Sequence, residues 1–487
     1  MFGKISAVWR GREMIGRIKE TRELADALAS EQSEFVAIYG RRRIGKTFLV
    51  NETVGGQYAF QHSGAENANT REQLDYFRQS ISLYGGFRCP RLANWREAFF
   101  ELEKMLQNST ATKKIVFLDE VPWMDTPKSG FLPAFEHFWN GWASLRKDIL
   151  LIICGSATSW MVNEVLYNRG GLHNRVTRPI PMAPFTLKEC EEYSEWKRLP
   201  FDRHQIAECY MALGGVAYYW SLLAANLSVA QNMDRLFFAK DAKLSGEFHR
   251  LFASLFRKSK VHVDVVTHLA SKRQGLTLSE IKDKTGIAGG SMTKVLRELK
   301  ECGFIRANPI VGNKKKDAIY QLIDNFTLFH FKFLQNKPVD EEHFWELSYD
   351  KPAVNAWRGL SFERLCFWHI PQIKEALGIS GILASVYSWR KKSDAPGNED
   401  AQIDMLIDRS DRIINICEMK FSSTEYVMTQ EERDKLVRRI ELFREATGTK
   451  KGLMPTLISS CGVKRNAHSG IIRAEVTLDD LFRNGTA

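Results

Sequence analysis

An apolar, β-branched run, Phe35-Val36-Ala37-Ile38-Tyr39, leads into Gly40-Arg41-Arg42-Arg43-Ile44-Gly45-Lys46-Thr47 and then into Phe48-Leu49-Val50. No other stretch restricts the possible folds so strongly. A continuous apolar run suits a strand buried on both faces, and therefore a parallel sheet covered by helices on either side. The segment after it satisfies G-x-x-x-x-G-K-S/T and is followed by residues that favour a helix. Glycines at these two positions let backbone N–H groups curl around phosphate oxygens, and the helix N-terminus adds its dipole. The lysine reaches the β- and γ-phosphates, and the hydroxyl of Thr47 is placed to meet Mg²⁺. The stretch from Gly40 through Arg41, Arg42, Arg43, Ile44, Gly45, Lys46 and Thr47 to Phe48 is the expected cradle for a nucleoside triphosphate.

A second apolar strand, Lys114-Ile115-Val116-Phe117-Leu118, ends in Asp119-Glu120. Two acids at a strand's C-terminal tip, downstream of a phosphate-binding loop, form the Walker B arrangement. Asp119 is expected to hold Mg²⁺ through water, and Glu120 to polarise the attacking water. A third buried strand, Ile149 to Cys154, ends in Gly155-Ser156-Ala157-Thr158, and Ser156 is placed to sense the γ-phosphate. Tyr58-Ala59-Phe60-Gln61 reads as an edge strand. Amphipathic helices are expected over residues 15–28, 71–83 and 95–106. Alternating strands and helices imply a doubly wound parallel sheet with its site at the strands' carboxyl ends. The adjacent Asp-Glu pair points to the P-loop subclass with an added strand between the nucleotide and Walker B strands, which favours ATP.

At 487 residues the chain exceeds one core and is expected to hold several domains. Its net charge of +11 favours a polyanionic partner such as nucleic acid, and the helix-turn-helix pattern beyond Val261 makes DNA the expectation over RNA. The eight cysteines are scattered without a C-x-x-C, which indicates neither a zinc site nor a disulfide framework. No run approaches the roughly 18 apolar residues of a membrane span, and the first residues lack the apolar core of a signal peptide. A cytoplasmic location is the expectation.

Five ordered segments, YGRRRIGKT, LDEVPWM, GSATSWM, LHNRVTRPIPMAPF and LGGVAYYW, resemble the archaeal-type ATPases of the STAND group of AAA+-related proteins. The resemblance runs from about Ile15 onward. Those families commonly carry Gly-Arg where this chain has Asn174-Arg175. The match therefore implies that Arg175 senses or stabilises the γ-phosphate, in cis or from a neighbouring copy in a nucleotide-dependent homo-oligomer. Their lid motif G-G-x-P reads Gly214-Gly215-Val216-Ala217 here, without the proline expected near adenine.

Residues 187–256 are rich in helix signals and are expected to form a lid. Beyond Val261 the segments VDVVTHLAS, LTLSEIKDKTGI and GGSMTKVLRELKECGFI read as three helices, followed by strands at residues 305–306 and 318–322. This is a winged helix-turn-helix pattern. Its third helix presents Ser291, Thr293, Lys294 and Arg297 to a major groove, and the wing lysines Lys314, Lys315 and Lys316 are expected on phosphates. The alternative is a module that packs on the nucleotide domain as a regulatory arm. Residues 325–350 read as an aromatic linker.

From Trp357 a further domain starts with a helix carrying Glu363. Asp404, a turn, and then Glu418-Met419-Lys420 form the core of the PD-(D/E)xK nuclease pattern. Residues at i and i+2 share a strand face, so Glu418 and Lys420 project together, and a hairpin brings Asp404 alongside. Asp404, Glu418 and Glu363 are the expected ligands of Mg²⁺ or Mn²⁺, with Lys420 stabilising charge or orienting water. Arg390, Lys391 and Lys392 are expected to grip a phosphate backbone. The resemblance points the same way, because many archaeal-type ATPases carry such a tail. Residues 429–447 read as a solvated covering helix, and strands at 453–459 and 476–482 are expected to complete the sheet.

The expected architecture is α/β and multidomain. A P-loop NTPase core spans 1–185, a helical lid 186–256, a winged helix 257–324 and a linker 325–350. A restriction-endonuclease-like domain spans 351–487. The expected function is that of an ATP-binding and ATP-hydrolysing protein with a fused metal-dependent nuclease domain acting on DNA. The alternative is a nucleotide-dependent signalling switch whose C-terminal domain is an inactive binding platform.

Overall fold

The computed structural model describes residues 14–167, 170–256, 259–309, 318–335, 341–391 and 401–485. The wing lysines 314–316 and Lys392 lie outside the described residues. The chain divides into two compact units, Met1–Pro184 with Leu251–Ser259, and Phe185–Arg250 with Lys260–Ala487.

The first unit is built on five parallel strands: β1 (Glu34–Tyr39), β2 (Phe60–Ser63), β3 (Lys114–Asp119), β4 (Ile149–Gly155) and β5 (Arg178–Pro181). Their order is β2-β3-β4-β1-β5, so β4 lies between the P-loop strand and the Walker B strand, and β2 is at an edge. Strand alternation divides β1 between two cores. Phe35 and Ala37 pack with Phe60, Trp95, Phe99 and Phe131, while Val36 and Ile38 pack with Leu24, Leu49, Val50 and Ile152. A strand with apolar residues on both faces thus serves both layers. Phe35 is fully buried against Phe135, with ring centroids 5.7 Å apart in an edge-on arrangement. Truncating such a side chain to alanine costs about 3–5 kcal/mol. The helices begin on their own signals. Asn69 and Glu72 form a capping box for Thr70–Gly85, and Asn94 caps Trp95–Gln107.

The second unit begins with helices Leu187–Lys197 and Arg203–Leu213, each opened by a capping box. Three helices follow, Ser259–Ala270, Leu278–Thr285 and Gly289–Glu301. A small antiparallel sheet accompanies them, comprising β6 (Leu276–Thr277), β7 (Ile305–Pro309) and β8 (Ala318–Leu322) in the order β6-β8-β7. The helix-turn-helix pattern and its winged sheet are as the sequence predicts. The aromatic linker becomes core: Phe326, Phe329 and Trp345 are fully buried.

The C-terminal sheet contains β9 (Ala384–Lys391), β10 (Ala401–Arg409), β11 (Ile413–Lys420), β12 (Gly452–Ser459) and β13 (Ala474–Thr477). Strands β9, β10 and β11 are antiparallel neighbours, and β12 and β13 continue parallel to β11. The helix Pro352–Trp368 precedes them, and Gln430–Thr447 connects β11 to β12. The expected strand over 476–482 is instead the end of β13 followed by a helical turn, Leu478–Leu481. Thr477 and Asp480 form a capping box there, which starts a helix as soon as the strand ends.

The helices of residues 187–213 belong to this same unit. Glu208, 1% exposed, accepts from Arg358 Nε at 3.1 Å and Nη2 at 2.6 Å, and from the Tyr349 hydroxyl at 2.8 Å. A buried charge held by three donors ties Arg203–Leu213 to Pro352–Trp368, and removing one partner of such a pair costs about 3–5 kcal/mol.

Candidate functional sites

The P-loop connects the end of β1 to the helix Lys46–Val54. Gly40 has φ +145°, and a Cβ there would lie 2.2 Å from the Met182 carbonyl oxygen, so the turn requires glycine. The approach arises because the Met182 N–H donates to the Tyr39 carbonyl at 2.8 Å, clamping the segment after β5 onto the mouth of the loop. Gly45, at φ +96°, caps the helix. Arg41 is buried, Arg42 stands 3.6 Å from Glu66, and Arg43 has a left-handed backbone at φ +68°. Ile44 is buried in the core, whereas the Phe48 side chain is exposed.

Lys46 is buried, and its ammonium donates to the Gly40 carbonyl at 3.0 Å, the Arg41 carbonyl at 2.9 Å and the Ser156 hydroxyl at 3.1 Å. Burial pulls its pKa down, and the nearby Glu120 opposes that shift. Thr47 donates its hydroxyl to Asp119 at 2.8 Å. Burial and the adjacent Glu120 charge raise the Asp119 pKa, against the Thr47 hydrogen bond. Glu120 adopts a left-handed backbone, φ 47° and ψ 44°, unusual for a non-glycine residue. Its carboxylate accepts the Ser156 hydroxyl at 2.6 Å and the Ser156 N–H at 3.2 Å. Ser156 therefore links Lys46 to Glu120, because β4 carries it between the two neighbouring strands.

This donor set fits a nucleoside triphosphate with Mg²⁺. The loop holds a glycine turn that no Cβ can enter, a lysine aimed back at the loop carbonyls, and a hydroxyl–carboxylate pair suited to a hard cation. Arg175 does not join them. It is exposed on the turn before β5, where the Thr177 N–H donates to the Phe35 carbonyl. Strand β5 runs parallel to β1, and the P-loop follows the opposite end of β1. A six-residue strand spans roughly 20 Å, which separates Arg175 from the Lys46 of its own chain. The parallel register thus sets Arg175 at the end of β1 away from the P-loop of its own chain.

In the winged helix, Met292, Val295, Leu296 and Leu299 form the buried face of Gly289–Glu301. Ser291, Thr293, Lys294 and Arg297 are all exposed on the same helix, as the helical period requires.

The C-terminal acids converge through a bulge. Strand β9 pairs Trp389 with Ile403 and Tyr387 with Leu406, so Asp404 and Met405 share the single partner Ser388. Such a bulge re-aims a side chain. The Ser388 hydroxyl donates to the Asp404 carbonyl at 2.7 Å and holds the distortion. On the other side Met405 pairs with Cys417, which places Asp404 one step further along, beside Glu418. Glu418 and Lys420 share a face, 3.3 Å apart. Glu363 reaches this cluster from Pro352–Trp368, and burial with the nearby Asp404 charge raises its pKa to about 7. Arg390 and Lys391 end β9, and Arg390 lines the same cavity as Asp404.

Three participants were not legible in the sequence. Arg273, from the turn before β6, hydrogen-bonds Glu363 at 2.5 Å and stands 3.5 Å from Asp404. Arg439 donates to Glu418 at 2.8 Å, and Glu432 lies 3.5 Å from Lys420. The helix Gln430–Thr447, expected as a solvated cover, therefore reaches the E-x-K pair. The only sequence signal was its run of arginine and glutamate. The carboxylate donors suit Mg²⁺ or Mn²⁺, but here they surround guanidinium groups. Among the described residues, the set whose ligand atoms all lie within 4.8 Å is Asp234, His343 and Glu346. There Asp234 already accepts the Trp345 and Glu346 N–H groups.

The first unit thus defines a P-loop ATPase core with a strand inserted before its Walker B strand, and the second carries a winged helix-turn-helix. Residues 14–223 match the family of ATPase domains predominantly from Archaea, and residues 262–309 match the IclR helix-turn-helix domain. Neither match extends to β9–β13. The chain is 28% identical over 357 residues to an uncharacterised protein of Methanocaldococcus jannaschii, covering 72% of this chain and 76% of that protein. A Walker-type ATPase of Pyrococcus abyssi aligns at TM-score 0.49 and 18% identity, covering 67% of this chain and 98% of that one. The Aeropyrum pernix ORC1 protein in complex with DNA aligns at TM-score 0.38 and 14% identity, covering 66% and 93%. Among the described residues no helix is long and apolar enough to cross a membrane.

Proposed function

We propose that this protein couples ATP binding and hydrolysis to action on DNA, and that its C-terminal sheet is a metal-dependent nuclease site of the PD-(D/E)xK type. The ATPase half rests on the Walker geometry and the archaeal ATPase match. Bound Mg²⁺–ATP supplies the reactive phosphoanhydride and a Lewis acid that neutralises developing charge. Lys46 would neutralise phosphate oxygens, Thr47 and Asp119 would hold the cation, and Glu120 would accept a proton from water once Ser156 releases it. Arg175, remote from its own P-loop, is left to act on the nucleotide of a neighbouring copy.

The observation that carries the nuclease reading is the bulge that turns Asp404 toward Glu418-x-Lys420 beneath a helix glutamate. An antiparallel β9-β10-β11 meander, continued by parallel β12 and β13 with helices before and between, suits a restriction-endonuclease-like core. When bound, Mg²⁺ or Mn²⁺ supplies Lewis acidity and a more acidic water. Asp404, Glu418 and Glu363 would hold the ion, and Lys420 would orient the water or balance phosphate charge. DNA is favoured as substrate by the winged helix, its exposed Lys294 and Arg297, and the net basic charge.

The second reading is a nucleotide-dependent switch of STAND type with an inactive C-terminal platform. It is favoured by one observation: Arg273 and Arg439 already hold Glu363 and Glu418. A side-by-side cleavage assay of the wild type and Asp404→Asn, with and without ATP, in Mg²⁺ and Mn²⁺, decides between them. Metal-dependent cleavage lost in the variant supports the nuclease. No cleavage of any DNA or RNA form by the wild type assigns the switch.

A further inference from the structure

We propose that the cavity between strands β7 and β8 of the winged helix and the helix Pro352–Trp368 binds one phosphate group of a nucleic-acid strand. The proposal rests on the nucleic-acid reading above but not on cleavage. The cavity has a volume of about 100 Å³, enough for a phosphate group. Arg306, Arg364 and Arg390 line it, with the amides of Gln274 and Gln402, and Glu363 and Asp404 stand at its edge.

Arg364 is buried and Arg306 half-buried, both against neutral partners. Arg364 is 8% exposed and donates to the Leu360 carbonyl at 2.8 Å and the Leu322 carbonyl at 3.4 Å. Arg306 lies over the Phe367 ring, 3.3 Å from its centroid, and gives Nε and Nη2 to the Gln321 side-chain oxygen. Its Nη1 is buried with no hydrogen-bond partner. Among the described residues neither arginine forms an ion pair, and the two nearby carboxylates are shared with Arg273. A guanidinium does not shed its proton at working pH, and a buried cation requires an anion. Three guanidiniums, from Arg273, Arg306 and Arg364, therefore face two carboxylates, leaving one positive charge that one phosphodiester balances. The planar fork matches phosphate oxygens bidentately, and the surrounding amides supply neutral donors.

The site is composite. Arg306 comes from β7, Gln321 from β8 and Arg364 from the helix that carries Glu363, so the winged sheet contributes to strand binding at the acid cluster itself. A strand phosphate seated there lies next to the candidate metal ligands.

The test uses the full-length chain in EDTA and fluorescence anisotropy with a single-stranded oligonucleotide bearing a 5′-phosphate, the same strand with a 5′-hydroxyl, and inorganic phosphate as competitor. Arg306→Gln is expected to weaken strand binding about tenfold and to lower the slope of log affinity against log salt by about one. Arg306→Lys, which keeps the charge, should restore part of the affinity, and circular dichroism checks that each variant folds. A preference for the 5′-phosphate that Arg306→Gln abolishes identifies a strand end as the source. Equal loss for both strands identifies an internal phosphodiester. Unchanged affinity and slope in a folded Arg306→Gln overturn the site while leaving the nuclease reading to the Asp404→Asn assay. Failure of the wild type to bind either strand overturns both.

Discussion

Arg273 stands between the two candidate metal ligands that come from different parts of the C-terminal domain, hydrogen-bonding Glu363 and lying 3.5 Å from Asp404. Its position is built by its neighbours. Gly275, at φ +81°, brings the turn so close to β8 that a Cβ would meet the Tyr320 carbonyl oxygen at 2.4 Å. The Gln321 side chain then donates to the Arg273 carbonyl at 2.8 Å. The winged helix thereby supplies a cation where a metal ion would compete for the same carboxylates.

Arg273→Ala should therefore raise Mn²⁺ affinity at the C-terminal site by about tenfold, equivalent to about 1.4 kcal/mol. Isothermal titration of the full chain measures this, and Asp404→Asn in the same background should remove the gain. An affinity that Arg273→Ala leaves unchanged would mean that the arginine does not obstruct the ion.

Ser156 holds Glu120 by both its hydroxyl and its N–H while accepting from Lys46. Ser156→Ala keeps the N–H contact and loses the hydroxyl bridge. ATP turnover should change by roughly ten- to a hundredfold in kcat, with a smaller change in ATP affinity, because a positioned acid–base group contributes about 10²–10⁴ in rate. Lys46→Ala should instead abolish nucleotide binding. Steady-state kinetics beside equilibrium nucleotide binding separates the two, and equal behaviour of both variants would contradict the bridge.

Gly215 explains why a second glycine persists where the lid motif lacks its proline. A Cβ at this position would lie 2.0 Å from the Phe185 carbonyl oxygen, and the Phe185 N–H donates to the Gly215 carbonyl at 2.7 Å. Gly215→Ala should destabilise the second unit by about 1–3 kcal/mol, the usual cost of overpacking. Gly214→Ala should strain the backbone at φ +60° with no steric clash, since nothing lies within 4 Å of a Cβ there. Urea denaturation of both variants checks the order of the two effects.

His369 is fully buried, accepts the Leu187 N–H at its Nε2 at 3.0 Å and donates from Nδ1 to the Leu365 carbonyl at 2.8 Å. Burial lowers its pKa to about 4, so the folded chain keeps it neutral where the unfolded chain takes up a proton. Its contribution to stability is complete above about pH 6.5 and is lost as the pH falls toward 4, up to about 3 kcal/mol. Urea midpoints at pH 7 and pH 4.5 should differ more for the wild type than for His369→Gln. Parallel losses in both would place the acid sensitivity elsewhere.

Much of the first unit was legible because local rules and global fold agree there. The uninterrupted apolar run of β1 required layers on both faces, and the G-x-x-x-x-G-K-T spacing required the turn that Gly40 makes. The acids at the end of β3 then fell at the same sheet edge. Asp404 and Glu418-x-Lys420 were legible as a hairpin with a period of two, and the strand pairing agrees. The placement of Arg175 was not, because a motif match carries no information about which end of the sheet a turn occupies. The helical turn at Leu478–Leu481 was missed because an apolar residue every few positions suits a strand or a short helix, and the Thr477–Asp480 cap decided between them.

The sequence alone determined the nucleotide cradle, the winged-helix pattern and the acids of the last sheet, since each depends on residues close together in the chain and on one backbone period. Tertiary structure alone decided what surrounds those acids. Arg273, Arg306, Arg364 and Arg439 reach one cluster from separate elements, and no local periodicity encodes contacts between residues so far apart in sequence. The balance of charge in that cluster, and therefore the ligand it accepts, exists only once the chain has folded.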